Sequence, residues 1–217
     1  MKMMINDKKI IMVVTFSLLF SCGEQSKSEL ITKYIEEKEP DKAADVLAVD
    51  DCELDIEACA FLAVGLLQFL SHVETGKSYL VRSANLGYPR AKVVLANFII
   101  EGNYFEKNPR KGIDLLHEAV GLNSSEAMYY LANEFNKGIY IDKNDLVALQ
   151  LYEKASELGH KYAPFNAGVL HWQIHQDCHK ADFYFEKGAE FMNDSKKALK
   201  QLRERDPCKS IFQNVTN

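Results

Sequence analysis

Apolar positions along this chain recur with a period of 36 residues. Ala91, Ala127 and Ala163 form the clearest series, and Leu95 takes the same place in its period as Leu131 in the next. Within each period one run at helical spacing ends near a glycine, and a second begins at a capping residue. A repeat of this length predicts stacked helical hairpins. The predicted fold class is all-α, a short α-solenoid of antiparallel helix hairpins with a C-terminal capping helix.

The second helix of each hairpin starts with a local signal. Asn108 precedes Pro109, which suits the N-cap and first-turn positions because proline has no amide hydrogen to leave unpaired there. Asn144 repeats this cap one period later. Small residues recur on the first helices and let paired helices approach to about 8–10 Å. They are Ala91, Ala96, Ala127, Ala132, Ala163 and Gly168.

Shorter steps of 33 residues flank the central periods. Ala58 precedes Ala91 by this distance, and Ala148 precedes Ala181. In the last unit three residues are missing from the loop at 173–177, so the helical faces stay in register. The chain lacks a Pro/Gly/Ser-rich break, which predicts one domain. The predicted units are 29–52, 55–87, 89–121, 125–159 and 161–192, followed by a cap at 194–205 and a tail at 206–217.

The first 21 residues have the pattern of an export signal. Lysines precede the apolar run Ile10–Phe20, which as a helix spans about 16 Å against a hydrocarbon core of about 30 Å. The sequence around Cys22 resembles the lipobox of bacterial lipoproteins, which implies cleavage before Cys22, acylation of its thiol and a tether over 22–28. The alternative is an ordinary secretory signal with an incidental cysteine. The lipoprotein interpretation predicts a lipid anchor at the periplasmic face of the bacterial envelope, and Gly23 favours the outer membrane.

The charge of the chain argues against a nucleic-acid partner. The formal net charge is −5. Cleavage before Cys22 would remove three lysines and Asp7 and change the net charge to −7. An acidic chain repels a phosphate backbone, so no nucleic acid is expected as a ligand.

A recurring spacing extends through residues 55–192. It runs Ala-x3-Leu-[Ala/Gly], then Gly, then Asn, then Lys-Ala-x3-Gly. This spacing resembles Sel1-like repeats, relatives of tetratricopeptide repeats, and the fit is best in Ala127–Gly159, where Lys154–His160 matches the ending of the second helix. The loop departs from the usual Gly-x-Gly and reads Gly-x-Tyr at Gly102 and Gly138. The resemblance implies a hairpin solenoid that binds other proteins.

Four cysteines remain besides Cys22, an even number in a chain with an export signal, so disulfides are expected. Cys178 starts the second helix of the last unit, and Cys208 follows a terminal helix that should run antiparallel to it. We predict a bond between these two. Cys52 and Cys59 bracket the turn between the first units, a placement that resembles the cysteine-rich branch of Sel1-like proteins and implies a second bond.

A metal site is the alternative interpretation of Cys178. His171 and His175 lie four residues apart and Cys178 follows, a spacing that can bind zinc. The disulfide is the preferred interpretation because no carboxylate pattern of a catalytic zinc helix is present. The sequence also contains no nucleophile motif or phosphate loop. We therefore expect no metal, no cofactor, no catalytic residue and no small-molecule substrate.

The resemblance to tetratricopeptide-like hairpins marks four partner-binding positions on the first helix of each unit. Asn97 and Asn133 are equivalent, and two amides can hold a partner backbone through both donor and acceptor. Aromatic residues at other marked positions would be anchors, although Phe165 and Trp172 have the alternative of packing between hairpins. The marked residues are Arg90, Val93, Asn97, Ile100, Glu126, Tyr129, Asn133, Asn136, Tyr162, Phe165, Val169 and Trp172.

These features favour a non-enzymatic, membrane-anchored module that binds another protein. The resemblance extends to periplasmic immunity lipoproteins, which implies a secreted toxin of the type VI class, such as a lipase, as the partner. Two alternatives stay open: a general envelope scaffold or assembly factor, and an enzyme acting on cell-wall or β-lactam compounds. Several weak partners would indicate the scaffold. Turnover that depends on His171 or His175 would indicate the enzyme.

Overall fold

The computed structural model describes residues 27–46, 57, 59–60, 62–63, 73–204 and 208. Several predictions lie outside these residues: the export signal, the acylation of Cys22, most of the tether, Cys52 and nearly all of the tail. In the described ranges every regular element is a helix, as predicted. No helix in these ranges is both long enough and apolar enough to cross a membrane.

The chain divides into two compact units, with the boundary between Tyr79 and Leu80. The single repeat domain that the sequence predicts stays a prediction, and the two units are described separately below.

The first unit begins with two short helices, α1 (Lys27–Glu36) and α2 (Pro40–Asp45), which pack against each other. Ile31 and Ala43 are fully buried. A proline opens α2, where the missing amide hydrogen has no intrahelical partner to lose. The boundary between the units falls within helix α3 (Val73–Asn85). The two short helices match the partial hairpin that the sequence predicts from residue 29.

The second unit is built of paired helices. They are α4 (Pro89–Glu101), α5 (Pro109–Gly121), α6 (Ser125–Lys137), α7 (Asp145–Glu157), α8 (Ala163–Leu170), α9 (Cys178–Ala189) and α10 (Asn193–Glu204). Helix α4 pairs with α5, α6 with α7 and α8 with α9, while α10 packs on α9. Contacts of α5 with α6 and of α7 with α8 join successive hairpins, which makes the predicted α-solenoid of stacked hairpins.

The predicted caps set the bounds of these helices. The side chains of Asn108 and Asn144 each accept a hydrogen bond of 3.1 Å from the backbone N–H three residues further on. The first helices α4 and α6 end at Gly102 and Gly138, whose φ values of 83° and 66° place both in the left-handed region. The Gly-x-Tyr loop therefore keeps the glycine that ends the helix.

Small side chains hold the helices of a hairpin close together. Ala91, Ala127 and Ala163 are buried, as their periodicity predicts. Gly112 on α5 lies against α4, because a Cβ atom there would stand 2.8 Å from the carbonyl oxygen of Ala96 and collide with the Ile100 side chain. This close approach leaves no room for a larger residue.

The last hairpin departs from the others where the sequence lacks three residues. Helix α8 continues into a π-helical turn, His171–His175, and Gln176 ends it in the left-handed region with φ of 49°. Asp177 then caps α9 by accepting a hydrogen bond of 3.0 Å from the Lys180 backbone. The predicted short loop is thus a tight turn that follows an extended first helix.

A disulfide joins Cys178 on α9 to Cys208, with 5.5 Å between their Cα atoms. This is the pair that the sequence analysis predicts, and both residues are buried. Leu202 of α10 belongs to the same apolar cluster. The bond therefore ties the chain beyond α10 to the start of α9. Cys59 is also disulfide-bonded and buried, while its predicted partner Cys52 lies outside the described residues.

Candidate protein-binding surface

Four rings from two neighbouring hairpins form a continuous group, which we call the aromatic patch: Tyr129, Tyr130, His160 and Tyr162. Tyr129 is at its centre, stacked on His160 with 4.3 Å between ring centroids and set edge-on to Tyr130 at 5.5 Å. Tyr162 lies 5.9 Å from His160 and 6.4 Å from Tyr129. The ring of Tyr162 is the most exposed part of the patch, at 51%.

Helix caps bring these rings together. Ser124 caps α6 by accepting a hydrogen bond of 3.1 Å from the Ala127 backbone, so Tyr129 and Tyr130 fall on the first turns of that helix. Gly159, with φ of 84°, follows the end of α7 and turns the chain into His160. Tyr162 is the residue before α8. The patch therefore forms where one hairpin stacks on the next.

A buried tyrosine lies beneath the patch. The ring centroid of Tyr152 on α7 is 5.9 Å from that of Tyr129, and its hydroxyl donates a 2.5 Å hydrogen bond to Asn133 Oδ1. Burial raises the pKa of Tyr152 well above its usual value, so the hydroxyl stays protonated and remains a donor. This hydrogen bond fixes the ring of Tyr152, which lies beneath Tyr129.

Two carboxylates act electrostatically on the hydroxyl of Tyr130. Burial is the main reason that the pKa of Tyr130 is raised, and the charges of Glu126 and Glu101 add to the effect. Burial also raises the pKa of the half-buried Glu126 carboxyl, while the charge of Arg90 opposes this shift. The charges of Glu126 and Glu101 thus act on Tyr130, and the charge of Arg90 acts on Glu126.

His160 carries no positive charge at neutral pH. Burial lowers the pKa of His160 from 6.5, because the protonated ring would lose its hydration. The imidazole stacked on Tyr129 is therefore neutral at pH 7.

The structure brings together four of the residues that the sequence marks for partner binding. Tyr129 and Tyr162 belong to the patch, Glu126 lies beside it, and Arg90 acts on Glu126 electrostatically. Tyr130 and His160 were missed. The motif Leu-Gly-His at the end of α7 contains His160, but its spacing gives no sign that the ring would stack on a residue of the preceding hairpin.

Two marked residues are wrong as partner contacts. Val93 is 0% exposed and Ile100 is 6% exposed, and both belong to the apolar cluster that α4 shares with α5 and α6. Leu116 is part of the same cluster. These aliphatic side chains stabilise the hairpin, so no partner reaches them in this structure.

The marked asparagines have roles inside the fold. Asn133 Oδ1 accepts the hydrogen bond from Tyr152, so part of its acceptor capacity is used inside the fold. Asn136 donates a 2.9 Å hydrogen bond to Asp145 Oδ1 on α7. Asn97 is half-buried on α4.

The marked residues of the last hairpin belong to a different group. Phe165, Val169 and Trp172 pack against the apolar cluster around the disulfide, and the ring of Phe165 lies 5.9 Å from that of Phe185. Trp172 also lines a small pocket with α9 and α10 residues. For Phe165 and Trp172 the structure favours the alternative of packing between helices.

The two histidines proposed as metal ligands have other contacts. His171 is 2% exposed, and its Nε2 lies 2.8 Å from Glu153 Oε1. Tyr184 stacks on the His171 ring at 5.3 Å and donates a 3.3 Å hydrogen bond to the same carboxylate oxygen. Burial, with the charge of Glu153 next, raises the pKa of Tyr184 to about 12. His175 is exposed.

Cys178, the third member of that spacing, is in the disulfide. Within the described ranges no group of three or more histidine, cysteine or acidic side chains is arranged to hold a metal ion.

Comparison with known proteins identifies the central hairpins. The sequence profile of the Sel1 repeat matches residues 89–124 and 125–160. These stretches contain α4 with α5 and α6 with α7, so this part of the chain consists of two Sel1 repeats. Repeats of this kind mediate contacts between proteins. No curated protein sequence matches the chain.

Two solved structures, the first two described here, have the same fold. A Sel1 repeat protein from Oxalobacter formigenes is 23% identical, with a TM-score of 0.52, over 56% of this chain and 95% of that one. A protective antigen of uropathogenic Escherichia coli with an SLR fold is 19% identical, with a TM-score of 0.55, over 78% of this chain and 46% of that one. The cysteine-rich protein B of Helicobacter pylori is 24% identical over 65% and 96%, with a TM-score of 0.45.

Proposed function

We propose that this chain, whose central hairpins are two Sel1 repeats, is a non-enzymatic module that binds another protein through the aromatic patch. The observation that carries the proposal is the exposed ring of Tyr162 beside the stacked pair of Tyr129 and His160. An exposed ring that packs beside other ordered rings offers an anchor for a partner, because large aromatic side chains dominate binding energy at protein interfaces.

The rigidity of the patch supports this role. Tyr129 contacts rings on several sides, and Tyr152 beneath it is fixed by the hydrogen bond to Asn133. A side chain that is already ordered loses little rotamer freedom when a partner binds. The patch therefore offers contact area at a low entropic cost.

We further propose that the partner is a toxin delivered to the periplasm and that the protein is its immunity protein, held at the membrane by acylated Cys22. The motif around Cys22 supports the anchor, and the short tether before α1 would keep the module near the membrane it protects. In this proposal the bound module blocks the toxin's active site.

The direct test is co-purification of the protein with secreted toxins encoded by neighbouring genes, followed by affinity measurement. We expect Tyr162→Ala to weaken binding at least tenfold, which is the usual effect of removing an aromatic anchor. Phe183→Ala is the matched control, since Phe183 is a 60% exposed ring on α9 that lies outside the patch. Equal losses from both substitutions, or none from Tyr162→Ala, would contradict the proposed surface.

A genetic test addresses the toxin itself. Cells that lack the protein should be killed by one neighbouring effector and rescued by the wild type but not by Tyr162→Ala. Cells that show no sensitivity to any neighbouring effector would contradict the immunity role while leaving the binding surface intact. Several weak partners in place of one tight one would then indicate an envelope scaffold.

A further inference from the structure

A small apolar pocket lies between the π-helical turn, α9 and α10, at the C-terminal end of the second unit. Its volume is about 100 Å³, and its walls among the described residues are Trp172, Phe185, Ala198, Gln201 and Leu202. All of these residues except Gln201 are apolar. An apolar cavity of about 150 Å³ takes a benzene molecule, so a pocket of this size at the surface can hold much of a phenyl ring.

The disulfide keeps the chain beside this pocket. Cys208 is 0% exposed and belongs to the same apolar cluster as Phe185 and Leu202, two of the residues that line the pocket. Its bond to Cys178 on α9 holds it there. Residues 209–217 follow from this fixed point. Docking of one of their side chains is therefore intramolecular, with an effective concentration on the order of mM.

One aromatic residue follows Cys208 at a suitable spacing. Residues 209–213 read Lys-Ser-Ile-Phe-Gln, so Phe212 is four positions after Cys208. Residues four apart share a face both in a strand, with its period of two, and in a helix, with its period of 3.6. Because Cys208 is buried in the cluster, either conformation would place Phe212 on the side of the pocket. Four residues span about 6 Å as a helix and about 14 Å when extended.

We propose that the Phe212 ring docks in this pocket and that residues 209–212 form a C-terminal strap over the end of the second unit. The last hairpin of a solenoid has no following repeat to cover it, so its apolar face needs a cap. Docking would remove the half-buried Trp172 side chain from water. The strap thus fills the pocket from within the chain and makes it unavailable to the apolar side chain of a partner.

The fluorescence of Trp172 tests this proposal, because Trp172 is the only tryptophan of the sequence. In the full-length oxidised protein, Phe212→Ala should shift its emission maximum to longer wavelength and increase its quenching by acrylamide, since the indole gains contact with water. Phe183→Ala is the matched control, because Phe183 is a 60% exposed ring that does not line the pocket. Unchanged emission in Phe212→Ala, or equal shifts in both variants, would overturn the proposal.

A second measurement needs no variant and decides the question if Phe212→Ala fails to fold. In the wild-type protein, nuclear Overhauser effects should connect the ring protons of Phe212 with the indole protons of Trp172 and the methyl groups of Leu202. Their absence would show that the strap does not occupy the pocket.

Other occupants of the pocket give a different result. If the Trp172 emission of the wild type shifts to shorter wavelength when the co-purified partner is added, or when the protein concentration is raised, a partner or a second copy fills the pocket and the strap is wrong. Under the proposal both additions leave the emission unchanged. No residue of the aromatic patch lines this pocket, so either result leaves the test of the proposed function at Tyr162 unaffected.

Discussion

At the scale of single residues, the stacked ring of His160 should make the stability of the protein depend on pH. Burial lowers the pKa of His160 in the folded state below the 6.5 of the free side chain. As the pH falls through 6.5 the unfolded chain binds a proton that the folded protein resists, so stability decreases. Urea midpoints at pH 7.5 and pH 5.0 should therefore differ more for the wild type than for His160→Phe.

The phenylalanine variant keeps an aromatic ring against Tyr129 but cannot titrate. An identical pH dependence in both proteins would show that His160 is not the cause. The pKa itself can be followed through the imidazole proton signals, and a value above 6.5 in the folded protein would contradict the burial argument.

Side-chain size explains why two of the predicted partner contacts, Val93 and Ile100, are buried. Val93 and Tyr129 occupy the same position of successive repeats, and so do Ile100 and Asn136. Val93 fits entirely into the core of its hairpin, whereas the larger Tyr129 extends past that core and stays partly exposed. The repeat register predicts where a residue lies on its helix. The size of its side chain then decides whether that side chain reaches the surface.

At the scale of helices, the contact between α4 and α5 depends on Gly112. Gly112→Ala should destabilise the protein by about 1–3 kcal/mol, since the added methyl group meets Ala96 and Ile100 in a packed interface. Gly121→Ala on the same helix is the control, because a Cβ there has nothing within 4 Å. That change should be neutral or stabilising by up to about 1 kcal/mol.

Denaturant midpoints of the two variants give this comparison. Similar midpoints for Gly112→Ala and Gly121→Ala would mean that α4 and α5 are further apart than the structure has them.

The disulfide should stabilise the last helices locally. It closes a separation of 30 residues, which corresponds to a contribution on the order of 3–4 kcal/mol in the chain-entropy model. A variant with both Cys178→Ala and Cys208→Ala should lose that stability, with faster amide exchange in α9 and α10 and little change in α4 and α5. Faster exchange throughout the second unit would contradict a local role.

The helices differ in how well the sequence predicts them. Caps such as Asn108 and Asn144 are predictable because they act on the backbone three residues away. The π-helical turn at His171–His175 is not predictable from spacing, since it depends on how α8 ends against α9. The sequence shows that the unit is three residues shorter at this place, but it does not determine the conformation of the residues that remain.

At the scale of the whole molecule, the repeat allows the fold to be predicted from the sequence. It predicts the proposed binding surface only in part. Periodic alanines fix which faces pack within and between hairpins. The aromatic patch instead arises at one junction, from Tyr129 and Tyr130 on one hairpin and His160 and Tyr162 at the start of the next. One period earlier the equivalent positions are Val93, Val94, Ser124 and Glu126, none of them aromatic, so the repeat does not mark this junction.

Hydrogen–deuterium exchange of the protein with and without its co-purified partner tests whether the aromatic patch is the binding surface. Binding should slow exchange in residues 125–131 at the start of α6 and in 158–163 between α7 and α8. The exposed α6–α7 loop at 138–142 and helix α10 should exchange as before. Protection confined to that loop or to α10, with residues 125–131 and 158–163 unchanged, would contradict the proposed binding surface.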